Sequence, residues 1–239
     1  MPRLLYTVTL VLLILIKAIA ALECPNESCE KLATGCKECL CQNKFLGPIR
    51  IDRNATVCGT NMKSVFQGYD LRGNLCISDF LKQFTKANCA NGAKQYIYPT
   101  SDGFDGQAKP VIVKVNTILD RFGHPNGSYL SPRGDPYSRR AAPPGNLQTR
   151  PNAAPLSYYA YVVKKDFPAY TGKVAPWFGQ SGGGTQYFVP GNISLLRDAG
   201  YLQKACSQTF NSETGQWAPN EEDGDIYDEE LYESVQIAH

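Results

Sequence analysis

Histidine is nearly missing from this chain: there are two in 239 residues, His124 and His239. Cationic side chains are missing from its end, where no Lys or Arg follows Lys204. Apolar runs long enough to cross a bilayer are missing throughout, because the one strongly apolar stretch, Leu10 to Ile16, is short and Lys17 follows it. Each absence excludes something. Two histidines leave no H-E-x-x-H zinc helix, and they deprive any serine nucleophile of the base it needs. Neither G-x-G-x-x-G nor a P-loop occurs, which removes the ordinary dinucleotide and ATP cradles.

The shortage decides how to read "PWFGQSGGGTQYFVP" (Pro176 to Pro190), which contains a literal G-x-S-x-G centred on Ser181. The hydrolase-fold order of Ser, acid, His requires His239, the last residue of an acidic tail. The trypsin-like order requires His124, held between a Gly and a Pro, with Asp135 or Asp166 as the acid, both in turn-like surroundings. Ser181 is therefore not read as a nucleophile. Gly182 to Gly184 have two readings: backbone that approaches a ligand closely with exposed N–H groups, or a flexible turn before a strand.

What the chain does have is cysteine. Nine are present, and eight of them (Cys24, Cys29, Cys36, Cys39, Cys41, Cys58, Cys76 and Cys89) precede Ala90, with Cys206 alone beyond. The start "MPRLLYTVTLVLLILIKAIAA" has Arg3, a short apolar run and small residues suited to cleavage after Ala20, which is the pattern of a secretory signal. Export favours disulfides over zinc for the C-x-x-C within "CKECLC" (Cys36 to Cys41). Four N-x-S/T sequons, at Asn26, Asn54, Asn126 and Asn192, agree with a secreted or cell-surface protein. From Ala21 to Lys204 the charge is +9, and nine acids follow. That asymmetry suits an anionic partner and equally a well-solvated surface. The tail offers oxygen ligands, and Glu213, Asp223 and Asp225 are candidates for a structural Ca²⁺, although no EF-hand spacing is present.

The pattern predicts an α+β fold with a mainly antiparallel sheet, few short helices and a small disulfide-rich module in front. Strands are expected at Val111–Val115, Ser157–Lys164 and Thr185–Val189, the last with Gln186 and Phe188 on one face and Thr185 and Tyr187 on the other. Helices are expected over Ser78–Asn88, capped by Ser78, and within Asn192–Leu202, capped by Ser194 and stopped by Gly200. Thr100–Pro110 reads as a turn-rich linker and Ala141–Pro155 as a long loop. The organisation is a signal at 1–20, a cysteine-rich module at 21–104, a main domain at 105–210 and an acidic tail at 211–239.

Five strings occur in order: "DRFG" from Asp120, "YLSPRGDPYSRRAAPPG" from Tyr129, "YYAYVV" from Tyr158, "APWFGQSGGGTQY" from Ala175 and "DAGYL" from Asp198. Together they resemble the tuberculosis necrotizing toxin family of NAD⁺ glycohydrolases. With the signal, cysteines and sequons, the chain looks most like the fungal secreted or cell-surface members. The resemblance covers about Val111 to Lys204. It implies hydrolysis of NAD⁺, and of NADP⁺, to nicotinamide and the ADP-ribose product, with no cofactor required. It implies catalytic roles for Arg140 and Gln186. It also implies that Arg121 and Phe122 line the same pocket, and that a homodimer forms through the N-terminal extension. Tyr137, Trp177, Gly183, Gly184 and Thr185 are further candidates for substrate contact, Trp177 by packing on a ring and the glycines by close backbone approach. Neither a nucleic-acid partner nor a transmembrane anchor is expected. An ADP-ribosyl cyclase or transferase would commit a Glu near the ribose, and none falls in the matched strings. A non-catalytic adhesive or wall protein would suit the cysteines and sequons equally well.

Overall fold

The computed structural model describes residues 29–89, 91–147, 158–211 and 216–219, with side chains described through Ala205. The signal segment, Asn26 and the calcium candidates Glu213, Asp223 and Asp225 lie outside these residues. Eight antiparallel strands form the main sheet, in the order β12-β11-β8-β6-β7-β10-β9-β5. They are β5 (Lys109–Val113), β6 (Ile118–Phe122), β7 (Tyr129–Pro132), β8 (Tyr158–Val163), β9 (Phe167–Lys173), β10 (Thr185–Phe188), β11 (Leu202–Asn211) and β12 (Gln216–Pro219). Earlier in the chain come two small hairpins, β1 (Thr56–Val57) with β2 (Thr60–Asn61), and β3 (Thr85–Ala87) with β4 (Lys94–Tyr96). Four short α-helices lie among the described residues: α1 (Met62–Val65), α2 (Ile77–Phe84), α3 (Tyr137–Arg140) and α4 (Ile193–Asp198).

Every residue of β8 is buried, which explains why "YYAYVV" reads as a continuous apolar and aromatic run rather than an alternating one. Its two faces pack on different clusters. Tyr159, Tyr161 and Val163 join Leu119, Leu130, Phe167 and Ile193 on one side. Tyr158 and Ala160 join Phe122 and Tyr137 on the other, where the cysteine-rich segment supplies Val57, Met62, Val65, Phe66 and Tyr69. A third cluster sets the apolar face of α2 (Phe80, Leu81 and Phe84) against Phe45, Leu46 and Phe178. The N-terminal segment thus shares one cluster with the sheet and a second with Phe178 of the Gly-rich string.

Several local expectations shift. α2 is preceded by Cys76, not Ser78, and ends at Phe84, where the Thr85 hydroxyl donates back to the Leu81 carbonyl (2.6 Å). The chain then turns extended to pair with β4, as suits β-branched Thr85. The cap of α4 is Asn192, whose side-chain oxygen accepts from Leu195 N (3.0 Å), while Ser194 only donates to that same oxygen. β5 begins earlier than expected and stops at Val113, because the Val115 N–H turns to Asp166 (2.9 Å) and Asn116 takes a left-handed conformation (φ 66°). Within the proline-rich loop, Pro144–Leu147 winds into a 3-10 turn. Cys36 pairs with Cys39 and Cys29 with Cys41, Cys58 and Cys76 are also disulfide-bonded, and Cys89 is a free, exposed thiol. No described helix is long and apolar enough to cross a membrane.

Candidate active site

A cavity of about 510 Å³ opens where the sheet, the Gly-rich string and the turn before β5 meet. Gln186 on β10 and Arg140 at the end of α3 both line it. Tyr129 on β7 contributes a further side, and Ala141, Ala142, Pro143 and Asn146 come from the loop after α3. Tyr98, Pro99, Ser101, Asp102 and Gly103 form another wall, and Val174, Ala175 and Phe178 close it. The Tyr98 wall comes from the turn-rich stretch that reads as linker in sequence. Nothing in its composition separates a tether from a cavity wall, since both need turn residues.

Gln186 is held from that wall. Its Nε2 donates to the Asp102 carbonyl (2.9 Å), which leaves the side-chain oxygen as the free acceptor. Ser101 and Asp102 both adopt positive φ (57° and 54°), a conformation that costs a non-glycine residue roughly 1–2 kcal/mol. The turn is pinned by Ala175 N to the Gly103 carbonyl (2.9 Å) and Asp105 N to the Lys173 carbonyl (2.8 Å). Strain held in place by its surroundings is a common mark of a functional turn.

Arg140 is buried, and all three of its guanidinium nitrogens are engaged. Nη1 and Nη2 meet the two oxygens of Asp120 (Nη2 at 3.0 Å), and Nε donates to the Asp135 carbonyl (2.8 Å). Asp120 is fully buried and also accepts from Gly134 N (2.9 Å) and the Tyr158 hydroxyl (2.9 Å). The Tyr158 oxygen lies 2.8 Å from Thr60 Oγ1, which accepts in turn from Arg133 Nε (3.0 Å). Burial alone would pull the Arg140 pKa down, but the Asp120 carboxylate outweighs it and holds the group above its ordinary value. Burial, and then the charge of Asp120, keep Tyr158 well above the usual phenol value, so it stays protonated as a donor. Arg140 therefore reaches the cavity with its charge already balanced.

Arg121 differs. Alternation along β6 sends it to the face opposite Phe122. Its guanidinium lies against Gly127, with Nη1 donating to the Tyr129 carbonyl (2.7 Å) and Nε without a partner. No carboxylate pairs with it among the described residues, and burial pulls its pKa down. Phe122 sits in the core, 4.8 Å from Tyr158 and 5.1 Å from Tyr137 between ring centroids, with the Arg140 guanidinium over its face (5.4 Å). Tyr137 is fully buried, its hydroxyl donating to the Pro143 carbonyl (3.1 Å). The Trp177 indole donates to the Ile97 carbonyl (2.7 Å) and packs on Phe84. These three rings support the walls rather than line the cavity.

The glycines fit neither of the two readings, ligand-facing backbone or flexible turn. Their N–H groups are not exposed: Gly182 donates to Ser138 (3.2 Å), Gly183 to Val174 (2.7 Å) and Gly184 to Arg139 (2.9 Å), all at backbone carbonyls. Thr185 N donates to the Asp135 carboxylate (3.2 Å). The string is strapped onto α3, and only the missing side chains allow that approach. A Cβ on Gly184 would lie 2.6 Å from the Arg139 carbonyl oxygen. Gly184→Ala is therefore expected to lower stability by about 2 kcal/mol, or roughly 4–8 °C in melting temperature. A thermal melt matching the parent would show that the strap is not held this way. Ser181 has no base beside it, since its hydroxyl donates to the Gly182 carbonyl (3.4 Å) and His124 lies in an exposed turn accepting from Asn126 N (3.2 Å). Asn54 and Asn126 are exposed, and Asn192 is half-buried at its helix start.

Residues 112–205 match the family model described as tuberculosis necrotizing toxin. A conidial surface nicotinamide adenine dinucleotide glycohydrolase, nadA of Aspergillus fumigatus, is 35% identical over 171 residues, which is 69% of this chain and 70% of that protein. The chain belongs to this family. Among solved structures, tuberculosis necrotizing toxin complexed with its immunity factor is similar at a TM-score of 0.46 and 19% identity, covering 54% of this chain and 71% of that one. Rhs1-CT in complex with its cognate immunity protein is similar at 0.29 and 20%, covering 44% and 82%. The family match spans the strands and turns that carry Tyr129, Arg140, Phe178 and Gln186. The Tyr98–Gly103 wall lies before it. Among the described residues no cluster of three His, Cys, Asp or Glu side chains could hold a metal.

Proposed function

We propose that this chain is a secreted or cell-surface NAD⁺ glycohydrolase that hydrolyses NAD⁺, and NADP⁺ as a second substrate, to nicotinamide and the ADP-ribose product. The observation that carries it is the convergence of Arg140 and Gln186, from separate parts of the sequence, on one cavity within a chain of this family. The relative's conidial surface and this chain's disulfides support the location.

The chemistry suits the residues present. The nicotinamide nitrogen is cationic in the substrate and leaves neutral, so no general acid is needed, and the ribose passes through an oxocarbenium-like state. Gln186, fixed by the Asp102 carbonyl, offers its free oxygen to a ribose hydroxyl or to the attacking water. Water adds at the anomeric carbon and its proton goes to solvent. Arg140 presents its remaining N–H bonds without net charge, which orients substrate oxygens. Arg121, whose guanidinium lacks a carboxylate partner among the described residues and donates to the carbonyl of cavity residue Tyr129, does not itself line the cavity, and its charge acts on the pyrophosphate from behind that strand. Asp102, the one carboxylate lining the cavity among the described residues, adds negative charge close to the developing cation. No glutamate lines the cavity among the described residues, which favours hydrolysis over transfer.

The test incubates secreted protein with NAD⁺ and follows nicotinamide and ADP-ribose by chromatography. Stoichiometric release of both is expected. Cyclic ADP-ribose or a labelled protein would point to the cyclase or transferase reading, and no turnover by folded protein would point to a wall protein. Dimerisation through the N-terminal segment and a structural Ca²⁺ in the acidic tail belong to the same reading. Sedimentation tests the first. A melt that does not move with excess chelator would count against the second.

A further inference from the structure

The loop after α3 has a side that faces the cavity and a side that does not. Pro143 and Asn146, three residues apart as suits a 3-10 turn, both line the cavity. Asn146 N donates to the Pro143 carbonyl (3.0 Å), which ties the two together. Pro144 and Gly145 lie instead against the cysteine-rich segment. A Cβ on Gly47 would come within 2.7 Å of the Pro144 carbonyl oxygen, and one on Gly145 within 2.8 Å of the Lys44 carbonyl oxygen. The segment beneath is itself fixed. Asn43 is buried, its side-chain oxygen accepting from Phe45 N (2.9 Å) and its Nδ2 donating to the Leu32 carbonyl (2.6 Å). Leu40 N donates to the Gly47 carbonyl (3.0 Å), and the Cys36–Cys39 and Cys29–Cys41 disulfides hold the chain just before it. Among the described residues, one side chain hydrogen-bonds to both layers. Tyr96, the last residue of β4, accepts at its hydroxyl from Gly145 N (2.9 Å) and donates to the Phe45 carbonyl (3.0 Å). Burial holds that hydroxyl well above the usual phenol value, so the proton it donates stays in place. Its ring meets Phe178 at 5.2 Å and Tyr98 at 6.0 Å between centroids, and both of these line the cavity as well.

We propose that Tyr96 is a positioning residue for the substrate: its hydroxyl fastens the Pro143–Asn146 wall to the cysteine-rich segment, while its ring braces Phe178 and Tyr98. The inference rests on the glycohydrolase reading and adds that substrate affinity depends on a residue outside the 112–205 family match. The effect falls on binding rather than on the reaction. Gln186 is aimed by the Asp102 carbonyl and Arg140 by Asp120, and neither bond runs through Tyr96. Asn146 gives the wall its reach, because its side chain lies beside the Arg121 guanidinium. A Cβ on Gly123 would be 3.4 Å from Asn146 Cγ and 3.4 Å from Arg121 Nη2. A wall released from Tyr96 carries Asn146 away from that place. Packing alone does not account for the hydroxyl: a phenylalanine would fill the same space, yet it would leave Gly145 N and the Phe45 carbonyl without their partner.

The experiment measures NAD⁺ hydrolysis and calorimetric ADP-ribose binding for the full-length parent, Tyr96→Phe, Asn146→Ala and the double variant, all below their melting transitions. Tyr96→Phe is expected to raise KM for NAD⁺ and Kd for ADP-ribose together by about three- to tenfold, the worth of one hydrogen-bonded contact. kcat holds, which a plain loss of folded protein would not allow. In the Asn146→Ala background the same change has a smaller effect, because the group it positions is gone. Gly145→Ala opens the joint from the loop side, with its Cβ 2.6 Å from the Tyr96 hydroxyl, and should raise the same two constants even if Tyr96→Phe fails to fold. Parental KM and Kd in folded variants, a fall in kcat alone, or an undiminished effect beside Asn146→Ala overturns the positioning role. A parent that binds ADP-ribose and leaves NAD⁺ intact removes the glycohydrolase reading, and the shift in Kd still decides the role of Tyr96. A parent that neither hydrolyses NAD⁺ nor binds ADP-ribose overturns both.

Discussion

Replacing Asp120 with alanine is expected to lower stability by about 3–5 kcal/mol, the range for breaking a buried ion pair by deleting one partner. At roughly 2–4 °C per kcal/mol for a chain of this size, the melting temperature falls by about 6–20 °C. The magnitude follows from what is left behind. Arg140 keeps its charge in a site with no other carboxylate bonded to it, and Gly134 N and the Tyr158 hydroxyl lose their acceptor. Arg140→Ala has a comparable penalty, because Asp120 is then a fully buried anion. Its loss of activity therefore cannot be assigned to a missing substrate contact until a melt has been run on the same preparation. Sequence alone suggests that Arg140→Ala would stay folded and simply lose activity, and the buried pair changes that expectation. The double variant Asp120→Ala/Arg140→Ala separates the two effects. If the pair is the cause, the double variant is more stable than the sum of the single losses implies. Full additivity, or a melt of Asp120→Ala that matches the parent, would show that the pair contributes little.

What the sequence made legible was local. The aromatic and β-branched content of "YYAYVV" marks β8, and period-two alternation puts Gln186 and Phe188 on one face of β10. The Asp198–Leu202 string places the helix stop at Gly200, where φ is 71°. The long-range facts were not legible. Asp120 reads as one more acid in "DRFG"; only the antiparallel pairing of β6 with β7, and the return of α3 above it, bring it under Arg140. Gly179 lies in a literal nucleophile string, yet what it provides is room for the Arg72–Gly73 backbone, where a Cβ would come within 2.7 Å of the Arg72 carbonyl oxygen. Alternation alone separates Arg121 from Phe122 across β6, whereas family resemblance assigned both to one pocket. The Tyr98–Gly103 wall was hidden for a physical reason: turn composition records backbone conformation and says nothing about what a turn packs against.

Gln186→Ala is expected to lower kcat for NAD⁺ hydrolysis by about 10²-fold or more, the usual scale for a positioned group acting on the reacting proton or water. The fold should survive it. Gln186 is half-buried and makes one side-chain hydrogen bond, so the loss is about 0.5–1.5 kcal/mol, and the melt moves by only a few degrees. Gln186→Glu is the more informative change. It keeps an oxygen facing the cavity and adds a charge that can take a proton, so a role as simple acceptor predicts retained activity. The structure predicts the opposite. The Asp102 carbonyl accepts from Nε2, and a carboxylate oxygen there would set acceptor against acceptor, driving the side chain off its anchor. Both variants should then fail alike in kcat, although only one lacks the oxygen. A Gln186→Glu enzyme with parental kcat would separate the reaction from the Asp102 turn. Equal failure, with intact melts, would assign to the strained Ser101–Asp102 backbone the task of aiming a side chain on which hydrolysis depends.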